Sequence, residues 1–337
     1  MESPARWILG RSSRDFTLIF LPGILGIAVS FYFPTGPFYW AVYAFFASTM
    51  VNAGHVYATA WRTFFRKEER DSHFLYWVAP LLVISMIFLW IYLKIPYLWS
   101  FVVYATAYHQ VAQFYGFVKW YEKLNQKRSA STGYFAVALM VLPFVLFHFR
   151  SFQSFGFYTD RDIFFCPNST FLHAGLVIYG LTILSWLCSE VVLFYKGDFR
   201  LNRFLAVLGP AVLYAYCFLV GKNVMQILFP LFLSHGIPYL AVTGFSLRRL
   251  EGKSSAPVYR TALLIVFTAL AGGVATRFYG AHFIDISNAY VRSRTAPLAA
   301  VLTGIYLAPL LCHYVFDAHI WKSKHRDSKL IYSSQGE

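Results

Sequence analysis

Residues 171–195 read FLHAGLVIYGLTILSWLCSEVVLFY. An α-helix rising 1.5 Å per residue needs about 20 mainly apolar residues to cross a hydrocarbon core of about 30 Å. This run has the length and composition for one crossing. Nine further stretches read the same way: 16–34, 38–61, 74–93, 97–118, 133–149, 203–220, 223–246, 258–276 and 295–318. The chain has 337 residues, 58% apolar and 13% charged, whereas soluble domains carry about 25% charge. Its 20% aromatic content suits a protein solvated by lipid, with amphipathic rings at the interfaces. The expected fold is an all-α bundle of about ten transmembrane helices, with 1–337 forming one transmembrane domain. The same composition excludes a disordered chain, a collagen and a disulfide-stapled secreted domain.

The formal charge of +14 would point to nucleic acid in a soluble chain. In a polytopic chain the bias of Lys and Arg toward cytoplasmic loops explains it better. With the N-terminus inside, only Lys94, Arg150, Arg161, Lys222, Arg277, Arg292 and Arg294 fall outside, leaving 22 of the 29 basic residues on the cytoplasmic side. Both termini are therefore expected in the cytoplasm, and no nucleic-acid partner is expected. The basic N-terminus and the apolar stretch after it read as a retained first span, because the stretch is too long for a signal peptide. Inner basic segments such as Arg62 to Arg70 and Lys119 to Arg128 would meet anionic lipid headgroups, and they offer a surface for a cytosolic redox partner. The outer loop near 150–170 contains Asp160, Arg161 and Asp162, and reads as a small cap. It also holds the sequon Asn168-Ser169-Thr170.

Ionisable groups within hydrocarbon are costly and mark function by default. Of ten histidines, His73, His148, His173, His282 and His325 fall near loops or interfaces and read as interfacial residues. The others lie in spans two, four, eight and ten. Counted along the helix, His55 lies roughly 10 Å outward from Arg62, and His313 roughly 13 Å from Lys322. His109 lies about 15 Å from Lys119, and His235 about 20 Å from Arg248. Histidines from four helices thus share one slab in the inner half of the membrane, the arrangement a metal needs in a bundle core. His313 and Asp317 are an i, i+4 pair, so Asp317 is expected as a ligand, an orienting acceptor or a catalytic base. His109 with Gln113 and Asn52 with His55 share faces in the same way. His319 points away and carries less weight.

The expected metal set is therefore His55, His109, His235, His313 and Asp317. Tyr108, Tyr239 and Tyr314 stand near it as proton donors, Tyr108 and Tyr239 being the catalytic candidates. Asn52, Arg62 and Gln113 are the substrate-binding candidates, Arg62 lying two turns from His55 where it would hold a carboxylate or phosphate. Imidazole-rich ligation suits iron, zinc or copper rather than magnesium or calcium. Non-haem iron is the first expectation and zinc the second. Haem ranks lower, because one slab leaves two histidines without a role. The chain lacks the HxxxH, HxxHH and HExxH runs of histidine-box desaturases and zinc proteases, since its shortest histidine spacing is six. Bacterial membrane carotenoid-cleaving dioxygenases are similar in gathering histidines from several spans around one iron, although none of their local motifs matches here.

The expected activity is oxidation of a hydrophobic small molecule that reaches the site from the bilayer. Two alternatives belong to other classes. A transporter would use intramembrane His and Asp as a proton or metal path, with helix breakers at Pro22-Gly23, Pro143, Gly209-Pro210 and Pro238. A zinc-dependent lipid hydrolase would activate water in the same cage.

Overall fold

Every expected stretch that falls among the described residues is helical. The computed structural model describes residues 6–33, 39–70, 74–126, 130–151, 155–159, 161–250, 267, 270–272 and 297–322. The helices are α1 (Ser12–Ser30), α2 (Tyr39–Arg62), α3 (Leu75–Tyr92), α4 (Leu98–Leu124), α5 (Ala130–Phe147), α6 (Ser169–Tyr195), α7 (Leu201–Val220), α8 (Val224–Leu250) and α9 (Pro297–Ile320). A single turn, Lys67–Arg70, lies between α2 and α3, and no strand occurs among the described residues. The expected span 258–276 lies outside the described residues except for 267 and 270–272, as do the 277–294 loop, Asp160, His73, His282 and His325.

Six of these helices are long and apolar enough to cross a membrane: α1, α3, α6, α7, α8 and α9. The helices α2 and α4 are long but interrupted by polar residues, Asn52, His55, Thr59 and Arg62 in one and His109, Gln110 and Gln113 in the other. Much of that polarity faces inward, because His55, Thr59, Arg62, His109 and Gln110 are all buried. By contrast α6 exposes Val177, Ile178, Leu181, Leu184 and Val191, as a helix solvated by lipid does. Its first turn is capped by Asn168, whose Oδ1 accepts the Phe171 N–H at 3.0 Å. The asparagine of the sequon therefore has a structural use.

The chain divides into two units. One holds α1, most of α4, α5, α6, α7 and α8 up to Pro238; the other holds most of α2, α3, the rest of α8 and α9. In the first unit the fully buried Asp15 ties down the N-terminal segment. Its carboxylate accepts from the backbone N–H of Ile8 at 2.8 Å and Leu9 at 2.7 Å, and from the Tyr121 hydroxyl at 2.6 Å. Arg203 of α7 and Glu190 of α6 form a buried ion pair at 3.3 Å. Arg150 closes the far end of α7 by donating to the carbonyls of Phe218 at 2.7 Å and Gly221 at 2.9 Å. At the cap, Asp162 accepts from the backbone N–H groups of Phe157, Tyr158 and Thr159. Both α1 and α7 contain one π-turn, at Phe16–Phe20 and Tyr216–Val220.

In the second unit α9 packs along α3. A Cβ at Gly304 would come within 3.0 Å of the Ile84 carbonyl oxygen, so glycine permits this approach. Tyr76, Ala79, Cys312, Phe316 and Ile320 form the buried cluster between them. The Tyr76 hydroxyl also donates to Glu69 at 3.0 Å. This packing fixes the rotation of α9 and with it the direction of His313 and Asp317.

Candidate metal centre

His55 of α2 and His313 of α9 are buried in the second unit, with ring centroids 4.8 Å apart. The Tyr239 ring stands against both, 5.3 Å from His55 and 5.1 Å from His313. Thr59, one turn after His55, places Oγ1 2.5 Å from His313 Nδ1 and 2.7 Å from the Tyr239 hydroxyl. That hydroxyl donates to Asp317 Oδ1 at 2.7 Å. With Asp317 ionised, Tyr239 donates to it, and a His313 that ligates through Nε2 carries its proton on Nδ1 toward Thr59. The Nε2 lone pair is then left for a metal, the usual division of labour in a ligating imidazole. Asp317 Oδ1 lies 3.6 Å from His313 Nδ1, too far for a direct hydrogen bond, and Asp317 accepts from Tyr239, Trp321 and Thr59.

His109 of α4 and His235 of α8 are buried in the first unit, with ring centroids 5.1 Å apart and planes at 84°. The Gln113 amide donates to the His235 backbone carbonyl at 3.0 Å, which joins α4 to α8 beside the pair. The helix α8 is also pressed against α1. A Cβ at Gly26 would lie 2.7 Å from Pro230 Cα, and one at Gly23 would lie 3.3 Å from Ser234 Cβ. Small residues thus set the depth and rotation of the turn that carries His235.

These four histidines could hold a metal ion. Each offers one ring nitrogen, and the four nitrogens lie within 4.8 Å of one another.

The remaining candidates are distributed as follows. Asp317 and Tyr239 belong to the chain that ends on His313, with Asp317 outside the group of four. Gln113 adjoins His235, and Asn52 lies on α2 one turn before His55, half-buried. Tyr108 is 77% exposed and turned away from the histidines, because it follows the lipid-facing side of α4. Tyr314 lies beside His313, with rings 5.8 Å apart. Arg62 is fully buried, donates to Ser246 at 3.0 Å and stacks over Trp321 at 4.5 Å. His319 stands against Tyr76, with ring centroids 6.2 Å apart. His148 accepts or donates at both ring nitrogens, to the Tyr104 hydroxyl and the Phe144 carbonyl, and His173 is exposed on α6.

Sequence reasoning did not assign roles to Thr59, Ser246 and Trp321. Their signal was present in helical spacing: Thr59 is i+4 from His55, Trp321 is i+4 from Asp317, and Ser246 is i+7 from Tyr239. No known protein family matches the chain, and no curated protein or solved structure is detectably similar to it.

Proposed function

We propose that this chain is a multi-pass membrane metalloenzyme of about ten spans, both termini cytoplasmic, that holds non-haem iron on four histidines and oxidises a lipid-soluble substrate. The observation that carries the reading is the set of four buried imidazole nitrogens within 4.8 Å of one another. In this reading His55, His109, His235 and His313 are the ligands. Thr59, Tyr239 and Asp317 fix the tautomer of His313, and Gln113 fixes the turn that carries His235. A four-imidazole zinc site would be closed, without the open position that catalytic zinc keeps for water. Iron, which accepts a higher coordination number, would be held by the same four histidines and could still take reactants. Haem supplies its own equatorial nitrogens and takes at most two axial imidazoles, which leaves two of the four without a place. Iron held there supplies dioxygen activation, and the apolar surroundings keep water from the reacting substrate. A cytosolic reductant docking on the basic inner loops completes the electron supply.

Elemental analysis of detergent-purified protein tests the assignment, with His55→Ala and His109→Ala prepared alongside. Near-stoichiometric iron in the wild type, lost in both variants, is the expected result. Stoichiometric zinc would overturn the oxidative reading in favour of a closed structural site, and absence of metal from fresh wild type would overturn it in favour of a proton path.

A further inference from the structure

The first unit contains a cavity of about 250 Å³ walled by α1, α4, α7 and α8. Its lining is apolar except for the Ser234 hydroxyl, and Ser234 immediately precedes His235. Phe16, Phe20, Phe114, Gly209 and Leu213 form its walls. Phe16 is 48% exposed, and Val212, another lining residue, is 50% exposed, so the mouth lies on the outer side of α1 and α7. Both helices belong to those apolar enough to cross a membrane.

Three features separate this cavity from an incidental gap between helices. A Cβ at Gly209 would meet no heavy atom within 4 Å, so α7 presents bare backbone where a side chain would fill the space. The π-turn at Phe16–Phe20 rotates α1 locally, and Phe16, Ile19 and Phe20 from that turn all line the cavity. Such turns often accompany functional sites. The turn is also held firmly: Asp15 precedes it, and Phe20 stacks on Tyr121 with centroids 6.1 Å apart. A volume just under the usual range of about 300–1,000 Å³ for small-molecule pockets admits one chain rather than a whole lipid. No charged side chain lines the walls, so the occupant is hydrocarbon along its length.

We propose that this cavity binds a single hydrocarbon chain of a membrane-soluble molecule, with the chain's inner end at Ser234. That the bound molecule is the substrate rests on the function proposed above; the binding of the chain does not. Left unfilled, the walls would forfeit dispersion contacts that a chain of matching cross-section restores.

The test uses the full chain in phosphatidylcholine nanodiscs with a diazirine-tagged palmitic acid, followed by peptide mapping of the photolabel. Saturable labelling concentrated in residues 16–27, 205–213 and 234 is expected, competed by untagged palmitic acid. Gly209→Phe fills the cavity and should lower that labelling at least tenfold. Gly180→Phe, at an exposed glycine of α6 whose Cβ also meets nothing within 4 Å, should leave it unchanged. Labelling spread evenly over α6 and the cavity helices, or indifferent to Gly209→Phe, would overturn the proposal. If Gly209→Phe fails to fold, the wild-type map and its competition decide the matter alone. Metal content measured in the same samples separates the two readings. Cavity labelling in a protein that binds no metal supports the chain site and overturns the enzyme. Bound metal without cavity labelling does the reverse.

Discussion

In the unit that carries His55 and His313, side chains reach the imidazole ring itself: Thr59 meets His313 Nδ1 and the Tyr239 hydroxyl, which donates to Asp317. In the unit that carries His109 and His235, the side-chain contact from Gln113 goes to the backbone carbonyl of His235. The first arrangement controls where a proton sits on the ring. The second controls where the helix turn sits. Both serve ligation, but they fail differently: removing a ring partner frees the wrong tautomer, whereas removing a backbone partner lets a turn drift.

The largest expected effect breaks both units equally. Alanine at any of His55, His109, His235 or His313 should lower metal affinity by more than the roughly 100-fold that loss of an orienting partner can cost, read by competition with a chelator. A single histidine whose removal leaves affinity unchanged would take it out of the set. Next comes stability. Arg203→Ala strands Glu190 as a buried charge in the first unit and should destabilise the protein by about 3–5 kcal/mol, visible as a lowered Tm. Arg62→Ala in the second unit removes a hydrogen bond, a stacked cation and a charge that acts on the buried Asp317 without a direct ion pair, and should cost less, about 1–3 kcal/mol. Equal losses would mean that Arg62 answers a buried anion as directly as Arg203 does.

The comparison between the histidine pairs is sharpened by Asp317→Ala, which should weaken metal binding about 10- to 100-fold. Asp317→Asn keeps an acceptor for Tyr239 and should fall short of that. Gln113→Ala should weaken it less than about tenfold, because the His235 ring is untouched. If Gln113→Ala proved the more damaging, helix placement rather than tautomer control would dominate the site. The helix crossings are tested by stability rather than by metal affinity. Gly26→Ala meets the Pro230 backbone at 2.7 Å and should cost about 1–3 kcal/mol, while Gly304→Ala, at 3.0 Å from Ile84, should cost less.

The helices were legible because each apolar stretch must satisfy its own backbone hydrogen bonds in lipid, so length and composition nearly define it. The run 171–195 became Ser169–Tyr195, and 297–320 lies two residues from the stretch read as 295–318. The four histidines were legible too, because helical rise converts sequence distance from a basic end into depth. Depth does not give rotation, however. Tyr108 adjoins His109 in sequence and yet faces outward, since neighbouring helix positions differ by about 100°. Asp317, read as a ligand, an orienting acceptor or a catalytic base, lies outside the group of four and accepts from Tyr239 and Thr59.

By itself the sequence determined an all-helical, lipid-solvated chain and the residue types able to hold a metal, because composition and the 3.6-residue period are local properties. Only the tertiary structure decided which faces meet. The Thr59–Tyr239–Asp317 line joins three helices at positions distant in the chain, and the cavity beside Ser234 arises where bare backbone at Gly209 and a π-turn in α1 leave space. Such contacts depend on packing angles and close approaches that no local pattern encodes.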